Sequence, residues 1–440
     1  MRPVVLWSDA LLFLLLLGFI LWLIWFRKTE KYGLIKKEIR HRSRYLIALI
    51  ILVFYSAVGF IDTLHFKETS SAPVKSVLDI LLSPHDRILE TTYSAPFATT
   101  IHSSKILNSY DIASYPDNNS FLGGKQSFDI SLRILAGVLV GILFTFILYK
   151  QTKEVKHSKQ SKQAKQFNRT LALSLAILFC LIAVVAFLLP KYHILGTDKV
   201  GRDVFYLAIK SIRTGLVIGT VTTLVMLPFA LLLGMWAGYF RGWVDDVIQY
   251  LYTTLSSIPG ILLIAAAMLS FQVKIEADPD LRLLILCAIL GITSWTTLCR
   301  LLRGETLKLR ELDFVQSAYV LGVKPLNIVR KHIMPNLMHI VIITVVLDFS
   351  SLVLAEAVLS YLGVGVDPVS YSWGNLINAS RLDMARDPIV WWTLFGALSF
   401  MFMLVFSANI FSDALQAALN PKLEEEQVDF PDPILGGDKI

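Results

Sequence analysis

The chain has 440 residues, 55% of them apolar and 17% charged, with a mean hydropathy of +0.61, which is more apolar surface than one water-soluble core can bury. That excess, together with 11% aromatic residues, excludes a disordered chain and a nucleic-acid binder built on a basic surface. The formal charge of +7 must therefore be unevenly distributed along a chain whose main solvent is lipid.

Nine segments approach the roughly 20 apolar residues that a spanning helix needs. They are 8–26, 45–61, 133–149, 171–189, 215–238, 247–271, 283–301, 338–362 and 391–412. The expectation is an all-α, polytopic membrane protein of about nine transmembrane helices. The first segment is long, is followed by cations and has no small-residue cleavage site at its end, so it reads as an anchor with its N-terminus outside. Between the second and third segments, 62–132 is polar and carries Pro73, Pro84, Pro96 and Pro116, as an external loop of limited structure would.

Lysine and arginine set the orientation, because cationic loops resist translocation. Eight of them lie in 27–44, seven in 150–169 and six in 301–336, and counting spans puts all three stretches and the C-terminus on the cytoplasmic side. One loop departs from the pattern. Segment 190–214 carries Lys191, Lys199, Arg202, Lys210 and Arg213, yet the count places it outside. Asp198 and Asp203 offset part of that charge, and Asp203 is suited to start a helix.

The longest stretch between two later spans, 302–336, is patterned. Phe314, Ala318 and Leu321 recur at helical spacing, Asp313 can cap a start, Gly322 can end the turn, and Pro325 opens a second short helix before Pro335. Two short helices across the cytoplasmic face are expected, either as a contact for another protein or as an amphipathic element lying on headgroups. The loop 363–390, with Gly363, Gly365, Pro368, Trp373 and Gly374, combines turn formers with an interfacial aromatic residue. Within the span before it, Asp348 and Glu356 are carboxylates that cannot face lipid and must face protein or water. The three cysteines sit in apolar runs and the eight histidines lack ligand spacing, so no metal site is expected. No G-x-x-x-x-G-K-[ST], H-E-x-x-H or G-x-S-x-G string occurs, so nothing in the sequence points to nucleotide binding or catalysis.

The stretch FVQSAYVLGVKPLNIVRKHIMPN, 314–336, resembles the cytoplasmic coupling motif of binding-protein-dependent ABC importer permeases. Three other blocks are similar to the dipeptide, oligopeptide and nickel branch of that family: LGTDKVGRDV (195–204), GYFRGWVDD (238–246) and LAEAVLSYLGVGVDPVSYSWGN (354–375). The resemblance covers about 170–423 and implies a C-type permease subunit with the six-helix core of a type I importer, at 169–423. It leaves 1–168 as a three-span extension and 424–440 as an acidic cytoplasmic tail. The implied location is the bacterial cytoplasmic (inner) membrane.

What the resemblance implies about function is import of short peptides by alternating access, with nickel complexes as the alternative cargo and a stand-alone secondary transporter as the alternative class. The implied partners are a B-type permease, two ATPase subunits that bind ATP and Mg, a periplasmic or lipid-anchored substrate-binding protein, and membrane lipid; no cofactor belongs to this chain. ATPase coupling falls on Phe314, Gln316, Ser317, Ala318, Leu321 and Gly322, and on Lys324, Arg330, His332 and Pro335. Ala318 and Gly322, being small, would permit close approach to a receiving groove. Asp348 and Glu356 could line the translocation path, and Asp198, Arg202, Asp203 and Trp373 could meet the binding protein. Three departures stand out: Gln316 and Ser317 replace a Glu and an Ala of the motif, Tyr206 and Leu207 replace a Ser-Arg pair, and Tyr250 and Thr253 replace an Arg and an Asp.

Overall fold

The computed structural model describes residues 2–27, 30–67, 74–82, 92–99, 124–154, 162–272 and 278–419. The acidic tail and much of the expected loop 62–132 lie outside the described residues. In chain order, β1 (Arg2–Val4) leads into α1 (Trp7–Phe26), α2 (Glu30–His41) and α3 (Ser43–Asp62). Then come β2 (His65–Lys67), β3 (Lys75–Ser76), α4 (Val77–Leu82), β4 (Ala98–Thr99), α5 (Gly124–Glu154) and α6 (Lys162–Leu188). After β5 (Tyr192–His193) follow α7 (Val204–Phe240), α8 (Trp243–Ser257), α9 (Gly260–Gln272) and α10 (Pro279–Arg310). The last helices are α11 (Asp313–Val320), α12 (Pro325–Ile328), α13 (Met334–Tyr361), α14 (Trp373–Asp383) and α15 (Trp392–Leu419).

Among the described residues seven helices are long and apolar enough to cross a membrane, and α8 with α9 meets the same test only as a pair bent at one break. The first expected segment holds the 20-residue α1, whose described apolar stretch, Trp7–Gly18, is shorter than a spanning helix needs. The strands are two or three residues long and pair into two small antiparallel sheets, β1-β2-β3 and β4-β5. The protein is an all-α polytopic membrane protein.

Two expected spans differ in detail. The segment 247–271 bends by 85° between α8 and α9, because Ile258 precedes Pro259 and is held extended at φ −91°, ψ 132°. At the other, Pro335 does not break the chain. Proline is tolerated in the first turn of α13, and α12 runs into it through a five-residue π-helix, Val329–Ile333, so 325–361 is one continuous element. Sequence periodicity also missed α2, α4 and α14. The last begins at Ser372, whose side chain accepts from the Asn375 N–H at 3.0 Å, inside a stretch read as loop.

The helix ends sort onto two faces. On one, Asp9 of α1 meets His65 and Arg213, Trp392 Nε1 donates to the Thr197 carbonyl at 2.9 Å, and Tyr93 donates to Asp383 at 3.0 Å. On the other, Arg241 pairs with Glu311 and Arg303 with Asp245. The ends of α7 fall on both faces, Arg213 near its start on the first and Arg241 after its end on the second.

Helices α7 and α10 pack along their length, with α13 and α15 beside them. Helices α1 and α3 join this bundle, placing Leu12 and Tyr55 in its buried clusters. Helix α6 packs chiefly on α5, and on α3 and α2. Gly137 and Gly141 make the α5–α6 contact possible: a Cβ on either would lie 2.7 Å from Val184 Cα or 2.5 Å from Cys180 Cα. This is the small-xxx-small spacing by which membrane helices approach closely.

Candidate functional site

The segment joining α10 to α13 is built on cationic anchors at the end of α10. Arg303 grips Asp245 in the first turn of α8, with Nη2 2.7 Å from Oδ2. Arg310 Nη1 donates to the Tyr239 carbonyl at 2.8 Å while its guanidinium lies 5.7 Å from that tyrosine's ring centroid. Arg241 closes the turn onto Glu311. Lys308 and Arg310 also complement the negative end of the α10 dipole.

From this base α11 turns its Val315 and Ala318 inward, into one buried cluster with Ile328, Val329 and Ile333. Its other face is bare: Tyr319, Val320 and Leu321 at its end, with Leu326 of α12, form an exposed apolar ridge, Val320 at 82% and Leu321 at 81% exposure. Gly322 stops α11 with φ +74° and donates from its N–H to the Tyr319 carbonyl at 3.0 Å. Lys324 precedes Pro325, the first residue of α12. Such a ridge, projecting at the end of the bundle, is the kind of patch that another protein covers.

The ten residues expected to couple are therefore brought into one segment, with different tasks. Phe314, Gln316, Ser317, Leu321, Lys324, Arg330 and Pro335 are exposed. His332 is half-buried, its ring 6.4 Å from that of Phe314. Ala318 corrects the expectation, since it faces the core and not a groove on a partner. Gly322 has nothing within 4 Å of a Cβ, so its backbone conformation and not its size explains it. Asp313 lies in the first turn of α11 with no side-chain cap. Gln316 donates from Nε2 to the Glu311 carbonyl at 3.2 Å, a contact that a carboxylate could not make. Sequence reasoning missed the ridge residues Tyr319, Val320 and Leu326; the i, i+3 pair Val315 and Ala318 was the available signal for which side faces in.

The two span carboxylates separate. Glu356 is enclosed, with Ser360 Oγ donating to Oε1 at 2.6 Å and the Val366 N–H donating to that hydroxyl at 3.2 Å. It ties α13 to the loop after it. Asp348 is half-buried, and among the described residues its carboxylate has no hydrogen-bond or ion-pair partner. An ionised group at mid-membrane depth costs about 2.5–3.5 kcal/mol on insertion scales, so its face is not a lipid face.

On the opposite rim, Trp373 corrects the sequence expectation. Its indole is 1% exposed and donates to the Ala208 carbonyl at 2.9 Å, so it pins α14 to α7 and is out of reach of a partner. Asp198 is consumed within its own turn, accepting from Arg202 Nε at 2.9 Å and from the Val200 and Arg202 N–H groups at 2.8 Å. Asp203 caps α7 by accepting from the Tyr206 N–H at 3.0 Å and lies 2.7 Å from His193 Nδ1. Arg202 is half-exposed.

Four of the five cations in the basic loop 190–214 have counter-charges among the described residues. Lys191 pairs with Asp129 at 2.8 Å, Arg202 with Asp198, Lys210 with Asp79 and Arg213 with Asp9 at 2.6 Å. Three of those four carboxylates come from residues before 168. Tyr206, one of the departures from the family pattern, donates its hydroxyl to Asp79 at 2.7 Å. Burial would raise the Asp79 carboxyl, but the hydrogen bonds from Lys210 and the Ser76 N–H outweigh it and hold the group below the ordinary range.

A bundle of apolar spans with a projecting apolar ridge defines a multi-pass membrane protein with a surface fit to be covered by another protein. The family model described as "binding-protein-dependent transport system inner membrane component" matches residues 230–425. The chain is 33% identical over 232 residues to a glutathione transport system permease protein of Pectobacterium atrosepticum, covering 53% of this chain and 73% of that protein. It is 30% identical over 231 residues to a dipeptide transport system permease protein of Bacillus subtilis, covering 52% and 69%. An oligopeptide transport system permease protein of the same organism is 30% identical over 235 residues, covering 53% and 73%. The chain belongs to the binding-protein-dependent transport system inner membrane components, and is a multi-pass inner membrane protein.

Proposed function

We propose that this chain is the non-catalytic C-type permease subunit of an ATP-driven importer of short peptides. It works beside a B-type permease, two ATPase subunits that bind ATP and Mg, and a periplasmic or lipid-anchored binding protein that delivers substrate. Residues 169–423 form the importer core, 1–168 an extension to it and 424–440 a cytoplasmic tail. The distribution of lysine and arginine puts the coupling segment and the C-terminus in the cytoplasm, and the N-terminus and the Asp9 rim outside. The half-exposed Arg202 is the rim residue open to the delivering protein.

The observation that carries the reading is the apolar ridge Tyr319, Val320, Leu321 and Leu326 on a segment anchored by Arg303, Arg310 and Arg241. ATPase subunits closing on ATP would push this ridge, and the anchors would pass the displacement into α7, α8 and α10, exchanging inward-open and outward-open states. The peptide cargo is supported by the names of the relatives. None of the three named carries nickel in its name, which leaves nickel complexes as the second cargo to assay. Membership of the family removes the motive for a stand-alone carrier.

The test is Gly322→Leu. A side chain at φ +74° costs about 1–2 kcal/mol and shifts the end of the ridge. Uptake of labelled dipeptide and tripeptide should fall at least tenfold while the variant inserts and assembles at the wild-type level. Undiminished uptake would remove the coupling role.

A further inference from the structure

Asp348 stands fourteen residues after Met334 and thirteen before Tyr361, about 20 Å along the axis from either end of α13 at 1.5 Å per residue. Leu352 and Val353 on the same helix are buried in the bundle. Leu347, Leu354 and Val358 belong to a face that none of the described residues covers. Asp348 lies at the edge of that bare face, flanked at helical spacing by Thr344 and Ser351. The bare face thus carries a stripe of three polar side chains at mid-membrane depth, with an unpaired carboxylate in the middle. Lipid is the wrong neighbour for it. A compact metal site is also the wrong occupant, because no cluster of three or more His, Cys, Asp or Glu ligands occurs among the described residues.

We infer that the Thr344–Asp348–Ser351 stripe lines the water-filled path and that Asp348 is a binding subsite for an organic ammonium group, the free amino terminus of a peptide in transit. The inference rests on the importer reading above. The carboxylate supplies the counter-charge, and the two hydroxyls replace hydration that the ammonium group loses on entering the bilayer interior. Glu356, two turns further on, cannot share the task because Ser360 and the chain around it enclose it.

Two measurements on the assembled importer test this. Asp348→Cys should react with a membrane-impermeant methanethiosulfonate, as should Val369→Cys at the exposed rim; a folded, assembled Asp348→Cys that resists the reagent would overturn the placement and assign the carboxylate to a subunit contact. In proteoliposomes, Asp348→Asn should cut ATP-dependent uptake of trialanine about tenfold, leave uptake of N-acetyl-trialanine unchanged, and be rescued by Asp348→Glu. Equal losses for both peptides, or no loss for either, would overturn the ammonium subsite while leaving the importer reading standing. If the wild-type complex moves neither peptide, the importer reading itself fails.

Discussion

Asp79 shows how much one side chain can hold. It lies on the six-residue α4, too short to be stable alone, yet Lys210, Tyr206 and the Ser76 N–H converge on its carboxylate. Both members of the Lys210 pair are nearly enclosed, and removing one partner of such a pair leaves an uncompensated charge. Asp79→Asn should therefore destabilise the detergent-solubilised protein by on the order of 3 kcal/mol, read as a fall in thermal midpoint. Because the folded carboxyl is held below its unfolded value of about 3.9, its contribution is fully present above that value and is lost as pH falls beneath it through the folded one. The wild-type midpoint should accordingly decline more steeply than that of Asp79→Asn below about pH 4, and parallel curves would contradict the pairing.

At the scale of elements, the long spans were legible because lipid imposes length and composition on them whatever they pack against. The bend at Pro259 was missed when 247–271 was read as one span, although its signal is local, a proline that holds the preceding residue extended. The short helices α2, α4 and α14 were not legible, since each is shaped by a neighbour: α14 starts with Trp373 and Gly374, which read as loop until the indole is seen seated under α7. The coupling segment was visible through its family resemblance, but the direction of its side chains was not. Leu321 was grouped with Ala318 by spacing, and the structure sends one outward and the other inward.

The α5–α6 pair is the element where a small change should do most harm. Gly137→Leu or Gly141→Leu would force the helices apart against backbone, so the hairpin should open. Engineered cysteines across the α5–α6 seam should then lose their cross-link while the α7–α10 contact survives. Retained cross-linking at wild-type yield would mean that the seam tolerates bulk.

Across the whole molecule, residues before 168 are joined to the core by the apolar packing of α1, α2 and α3 and by a set of polar contacts at one rim. The first turn of α1 is the centre of this joint: Ser8 and Asp9 hold Arg213 of α7, the Ser8 N–H donates to Asp280 of α10 at 3.0 Å, and His65 lies 2.8 Å from Asp9. None of these pairings was readable in advance, because partners such as 9 and 213 are far apart in the chain and hydrophobic periodicity carries no information about them. A double-mutant cycle measures the joint. Asp9→Ala and Arg213→Ala should each lower the thermal midpoint strongly, and the double variant should be closer to either single one than to their sum, with a coupling of about 1–3 kcal/mol. Simple additivity would show that the two side chains do not depend on each other.

The joint also bears on biosynthesis. Residues 9, 79 and 129 leave the ribosome before 191, 210 and 213, so in these three rim pairs the anionic half is made before its cationic half. Chain order therefore offers the arginine and lysine of α7 carboxylates that were synthesised before them.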